Sequence, residues 1–215
     1  MFGLLITMQA VTAGIRNVIF DLGEVIIDLD IPGTIKKLCK HSGKSPDEVR
    51  KIYTSSDVFL NYEKGLISDQ DFRAGANELL GTSFEDDEFD LIWNGMLRDL
   101  PLKRLELLER LKSKYRVFLL SNTNEIHLRE FTGLVRSISG KASMETYFEK
   151  AYYSHQIKMR KPDAEIFMYV LQNSNLVPGE TLFLDDNADN IIGASACGIR
   201  AVRVINPDLI FEIFS

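Results

Sequence analysis

Four short stretches of the chain carry side chains that could do chemistry together: Asp21 in VIFDLGEV, Ser121 and Asn122 in VFLLSN, Lys161 in MRKPD, and Asp185 with Asp186 in LFLDDNADN. Asp21, Ser121 and Asp185 each close an apolar run of the kind that forms a strand buried on both faces of a parallel sheet. A carboxylate in that position loses its hydration, so it must be paired, hydrogen-bonded or bound to a metal. If the strands are parallel, these groups gather at the carboxyl edge, where open α/β sheets place their ligands. Three acids side by side repel unless a cation lies between them, and an all-oxygen ligand set suits Mg²⁺. Lys161 then supplies a counter-charge for a phosphoryl group, with hydrogen bonds from Ser121 and nearby backbone N–H groups. An aspartate nucleophile beside Mg²⁺ points to an aspartyl-phosphate intermediate. Singly, each residue has an ordinary reading: Ser121, Asn122, Asp185 and Asp186 are good caps, and Lys161 before Pro162 suits a solvated helix start. Their recurrence at matching ends of successive units favours the chemical reading.

The elements that must position them alternate. After the strand at Val18, Ile19 and Phe20 the pattern is helical from Ile31 to about Leu100. Ser45 and Pro46 open one helix there. Ser68 opens a second that Gly81 stops. A third carries Phe89, Ile92, Trp93 and Met96 on one face. From Pro101 onward helices alternate with the strands YRVFLLSN, KAYYS, TLFLDDN and IRAVRVI, which predicts βαβ units and a parallel sheet covered by helices on both faces, an α/β Rossmann-like architecture. The expected division is an extension over residues 1–15, a core domain over 16–30 and 101–215, and a small helical cap domain over 31–100, inserted after the first strand.

Composition narrows the partners. The chain has 215 residues, 45% of them hydrophobic and 26% charged, with a net charge of −6 and no basic run, so a nucleic-acid partner is not expected. The two cysteines, Cys39 and Cys197, are too far apart in sequence to suggest a disulfide framework or zinc site, which fits a cytoplasmic location. The apolar opening MFGLLITMQAVTAG has no Lys or Arg ahead of it, unlike a secretory signal, and no other stretch is long enough to span a membrane.

The four stretches resemble, in order, the four motifs of the haloacid dehalogenase superfamily: FDLGEV the first, LLSN the second, KPD the third and LFLDDNADN the fourth, over Asn17 to Ile205. The resemblance is strongest to the subgroup containing glucose-1-phosphate phosphatases and the phosphatase domain of epoxide hydrolases. It implies that Asp21 is the nucleophile, and that Mg²⁺ is held by Asp21, the backbone carbonyl of Gly23 and Asp186, with Asp185 and Asn190 in or just outside that shell. It also implies that Ser121, Asn122 and Lys161 hold the phosphoryl group and that residues 31–100 are a cap.

One departure is instructive. The family usually has a second Asp two residues after the nucleophile as general acid and base, and here that position is Gly23. Glu24 follows directly and is the candidate replacement, against the plain alternative of an exposed Glu at the mouth of the site. The expected function is a Mg²⁺-dependent phosphatase of a small phosphorylated metabolite, a sugar phosphate being the expected class. The alternatives are a 2-haloacid dehalogenase-type hydrolase and a phosphometabolite-binding module without catalysis. Among cap residues, Asn61, Tyr62, Glu63, Trp93 and Arg98 are candidates to reach over the site, with Trp93 expected in the cap's own core. The oligomeric state is not legible.

Overall fold

A computed structural model describes residues 10–215. Most of the expected N-terminal extension lies outside the described residues; of the remainder, the carbonyls of Val11 and Ala13 accept hydrogen bonds from the Arg200 guanidinium, both at 2.8 Å.

Five parallel strands form one sheet in the order β3-β2-β1-β4-β5: β1 Asn17–Phe20, β2 Arg116–Ser121, β3 Lys150–Tyr153, β4 Thr181–Asp185 and β5 Arg200–Arg203. Period-two alternation divides the apolar residues between its faces. Val18 and Phe20 face α6 (Leu102–Leu111), α7 (Glu125–Ser139) and α11 (Leu209–Ile213), through Leu105, Leu108, Phe131, Val135 and Ile210. Ile19 and Phe183 face α9 (Ala164–Asn173) and α10 (Ala188–Ala196), through Ile166, Phe167, Val170 and Ala194. Both faces are covered, so the strands read as unbroken apolar blocks. A short helix, α8 (Ser154–Ile157), follows β3.

Between β1 and α6 the chain forms five helices: α1 Ile31–Ser42, α2 Pro46–Ser55, α3 Asp57–Glu63, α4 Asp69–Leu80 and α5 Asp86–Asn94. Ser45 and Ser68 each close a capping box, with Glu48 and Asp71 respectively, and Gly81 ends α4 in the left-handed region. These helices bury a separate apolar cluster rich in aromatics, in which Trp93 packs edge-on to Phe59 and Tyr62 stacks on Phe72 at 3.9 Å. Trp93 therefore lies in the expected place, while its other side stacks on His127 of α7 at 4.9 Å. The two chain passages into and out of this segment are tied together: Asp28 N–H donates to Asp99, Arg98 N–H to Asp28 and Asp30 N–H to Met96. The separate cluster and paired passages make 31–96 an insertion whose ends meet.

Candidate active site

The register of β1 against β4 pairs Phe20 with Leu184, so the next residues, Asp21 and Asp185, stand side by side at the carboxyl edge. Asp21 N–H donates to the Leu184 carbonyl at 2.8 Å, which fixes its backbone. Lys161 fills the space between the two acids. Its ammonium, 1% exposed, donates to Asp21 Oδ1 at 2.7 Å, Asp185 Oδ2 at 2.6 Å and the Leu120 carbonyl at 2.9 Å, using all three protons. Asn122 holds the lysine's backbone from both sides: its Oδ1 accepts from Lys161 N–H and its Nδ2 donates to the Lys161 carbonyl, each at 2.9 Å. The peptide that follows, Lys161–Pro162, is cis.

Asp185 is wholly buried and fully engaged. Oδ1 accepts from the Asn187 N–H at 2.8 Å and from Asn190 Nδ2, and Oδ2 accepts from Asn190 Nδ2 and Lys161. Asp186, next in the chain, accepts from its own backbone N–H, has no side-chain hydrogen-bond partner among the described residues, and lines a cleft of about 440 Å³ together with Asp21, Gly23, Glu24, Asn122 and Lys161. Ser121 is buried at the end of β2, its hydroxyl 3.5 Å from the Asn122 carbonyl, a long contact that leaves the hydroxyl weakly committed.

The electrostatics of this cluster are strained. Burial is the largest influence on Asp21; Lys161 opposes it, Asp185 adds to it, and the carboxyl is pushed up to about 7. Asp186 is raised too, by burial and then by the charge of Asp185. Carboxylate oxygens of Asp21, Asp185 and Asp186 lie within 4.8 Å of one another. Negative charge gathered on clustered oxygens, with Asp21 and Asp186 both held above their usual range, is what a hard divalent cation would relieve, so the residues fit such an ion.

Gly23 and Glu24 lie on a tight turn. Glu24 adopts a left-handed backbone (φ 54°), its N–H donates to the Ile27 carbonyl, and its Oε1 accepts from Leu29 N–H at 2.8 Å. The side chain thus closes its own turn with one oxygen while still lining the cleft. A Cβ on Gly23 would lie 2.8 Å from Leu29 Cδ1, so a larger residue there would have to push that methyl aside. Arg104, buried on α6, donates to the Ile26 carbonyl and to Asp28 Oδ1, and so pins the turn to the core.

Of the helical residues singled out in the sequence, Tyr62 donates to Asp69 and Arg98 pairs with Asp30, away from Asp21. Glu63 alone of this group lines the cleft, where Arg160 donates to its Oε2 through Nε at 3.0 Å, with Nη2 at 2.9 Å in the same ion pair. Sequence reading passed over Arg160, Tyr53 and Leu29; adjacency to Lys161 was the one available signal for Arg160, and nothing local marked the other two.

Residues 15–198 match the family model of the haloacid dehalogenase-like hydrolases. The chain is 32% identical over 177 residues to a D-ribitol-5-phosphate phosphatase of Bacteroides thetaiotaomicron, covering 82% of this chain and 85% of that protein. A phosphorylated carbohydrates phosphatase of Thermotoga maritima is 30% identical over 112 residues, 52% of this chain and 48% of its own length. A crystal structure of a family enzyme from Bacteroides thetaiotaomicron, complexed with magnesium and inorganic phosphate, superposes with a TM-score of 0.76 at 37% identity, over 88% of this chain and 93% of that one.

Proposed function

Because this chain belongs to the haloacid dehalogenase-like hydrolases, we propose that it is a Mg²⁺-dependent phosphatase of a small phosphorylated sugar or polyol, acting through an aspartyl-phosphate on Asp21. The observation that carries this reading is the lysine-bridged pair Asp21–Lys161–Asp185 with Asp186 beside it, all at one sheet edge. The activities for which the relatives are named, on ribitol 5-phosphate and on phosphorylated carbohydrates, support the substrate class.

In this mechanism Asp21 Oδ1 stays on Lys161, leaving Oδ2 to attack phosphorus as the bond to the leaving oxygen breaks. Lys161, Ser121 and the backbone N–H groups after β2 stabilise the charge spread over the phosphoryl oxygens. Asn122 acts by fixing the Lys161 backbone. Water then hydrolyses the aspartyl-phosphate, releasing phosphate and restoring the carboxylate. Magnesium, held by Asp21, Asp186 and the Gly23 carbonyl, would neutralise negative charge there. Asp185 has no oxygen to spare, so we assign it to holding Lys161 and Asn190 in place. Glu24, anchored through Oε1, has its second oxygen available to pass a proton to the leaving group. Residues 31–100 form the cap over the cleft, to which they contribute Tyr53, Leu60 and Glu63.

The test is phosphate release from p-nitrophenyl phosphate and a panel of sugar and polyol phosphates, with Mg²⁺ and with EDTA. Turnover unaffected by EDTA overturns the metal assignment. No turnover of any phosphate, with halide released from a 2-haloacid, would support the dehalogenase alternative.

A further inference from the structure

The Glu63–Arg160 pair is more than a clamp between cap and core. The Nε hydrogen bond and the Nη2 ion-pair contact both reach Oε2 of Glu63, so Oε1 of the carboxylate and Nη1 of the guanidinium have no protein partner among the described residues. Glu63 and Arg160 both line the cleft that holds Asp21, and Arg160 directly precedes Lys161. An acceptor and a donor therefore stand next to each other on the wall of the phosphate site. Tyr53 lines the same wall.

The pair is held rigidly. Lys64, the next residue, pairs with Asp163 at 3.7 Å, and Lys158 donates to the Gly65 carbonyl. Gly65 sits so close to the core that a Cβ there would lie 2.1 Å from the His155 carbonyl oxygen. The end of α3 is thus pressed onto the segment leading to Lys161, and the two polar groups are preorganised.

A hydroxyl group both donates and accepts, so adjacent hydroxyls on a carbon chain would satisfy Oε1 and Nη1 together. A leaving group without hydroxyls would displace their water and return nothing, a penalty that makes such sites discriminate strongly. Burial already pushes the Glu63 carboxyl above its usual range, with Arg160 and Lys161 opposing it, so another hydrogen-bond donor would be welcome there. Burial likewise keeps the Tyr53 phenol protonated, with Glu63 and Asp186 adding to that effect and Arg160 opposing it; Tyr53 can therefore donate.

Building on the phosphatase reading, we propose that Glu63 and Arg160 are the specificity pair, reading adjacent hydroxyls of the leaving group and selecting acyclic or cyclic polyol phosphates over simple alkyl phosphates.

The experiment compares kcat/KM for a pentitol 5-phosphate and for n-pentyl phosphate, which have the same chain length and the same primary-alcohol leaving oxygen, in the native protein, Glu63→Gln and Arg160→Lys. The native enzyme should favour the pentitol phosphate by about tenfold or more, mainly through KM, and each variant should bring that ratio down to within about threefold. Equal losses on both substrates, as a loosened cap would give, overturn the proposal. So does a native enzyme that shows no preference. Should either variant fail to fold, the other variant and the native ratio still decide. Absence of Mg²⁺-dependent release from p-nitrophenyl phosphate by the native protein would overturn the phosphatase reading itself, a failure distinguishable from a lost preference.

Discussion

Lys161 is enclosed by two acids and a carbonyl, and this single buried cation sets the state of everything around it. Removing either of its acidic partners has different consequences. Asp185→Ala would leave Lys161 and Asn190 with unmet bonds in a dry site, at a cost of about 3–5 kcal/mol, read by chemical denaturation. Asp21→Asn keeps the shape and an oxygen for Lys161 but cannot attack phosphorus. Turnover should fall by about 10⁴-fold or more with the fold retained, and undiminished turnover in the purified variant would rule out the aspartyl-phosphate. Asp186 lines the cleft beside Asp21, so Asp186→Ala should abolish most activity. It should also erase the rise in melting temperature that saturating Mg²⁺ gives the native protein, a rise equivalent to about 2.7 kcal/mol at a hundredfold excess over Kd. A native-like Mg²⁺ shift in that variant would remove Asp186 from the ligand set.

Helix α10 does more than cover the sheet. At Gly193 it lies against the loop that carries Lys161, where a Cβ would fall 2.4 Å from the Pro162 carbonyl oxygen and 3.0 Å from Phe167. Backbone cannot yield as a side chain can, so Gly193→Ala should cost about 1–3 kcal/mol and shift the Lys161 loop. We expect kcat to fall well beyond what the lost stability explains, since Lys161 sits next to the displaced residue. Gly179→Ala, whose Cβ would meet nothing within 4 Å, is the control. If Gly193→Ala melts lower yet turns over normally, the helix does not position the lysine. The turn after β1 follows the same logic: Leu29, held by Glu24, fills the space beside Gly23, so this chain could not simply regain an Asp there without moving that leucine.

Across the whole molecule the buried ionisable groups pull stability in opposite directions with pH. In metal-free protein the Asp21 carboxyl lies near 7 against an ordinary 3.8, so the folded state holds a proton that the unfolded state has released. That contribution is present at low pH and is lost as pH rises from about 4 to about 7. His127 behaves oppositely. Burial of this α7 residue against Trp93 of the inserted helices lowers it from 6.5 to about 4, so its contribution is present above 6.5 and is lost as pH falls toward 4. Measured by urea unfolding in EDTA, Asp21→Asn should therefore gain stability relative to native as pH rises from 4 to 7 and then level off. His127→Gln should gain relative to native as pH falls through 6.5. A pH-independent difference in either variant would refute the corresponding shift.

Much of this protein was determined by its sequence alone. Five apolar blocks alternating with helix signals require a parallel sheet with covered faces, because such blocks can be buried no other way, and parallel strands oblige Asp21, Ser121 and Asp185 to meet at one edge. Capping chemistry is local, so Ser45, Ser68 and Gly81 were legible as helix boundaries. The short helix α3, whose N-cap makes no side-chain bond, was not, and the strand order was not because it depends on residues far apart in sequence. That Asp185 is saturated combines local bonds from Asn187 and Asn190 with the long-range one from Lys161, which only tertiary packing brings to the same carboxylate. Packing alone brought Arg160 to Glu63 across 97 residues. And it alone brought the Leu29 side chain beside Gly23, where a larger residue would have to displace it.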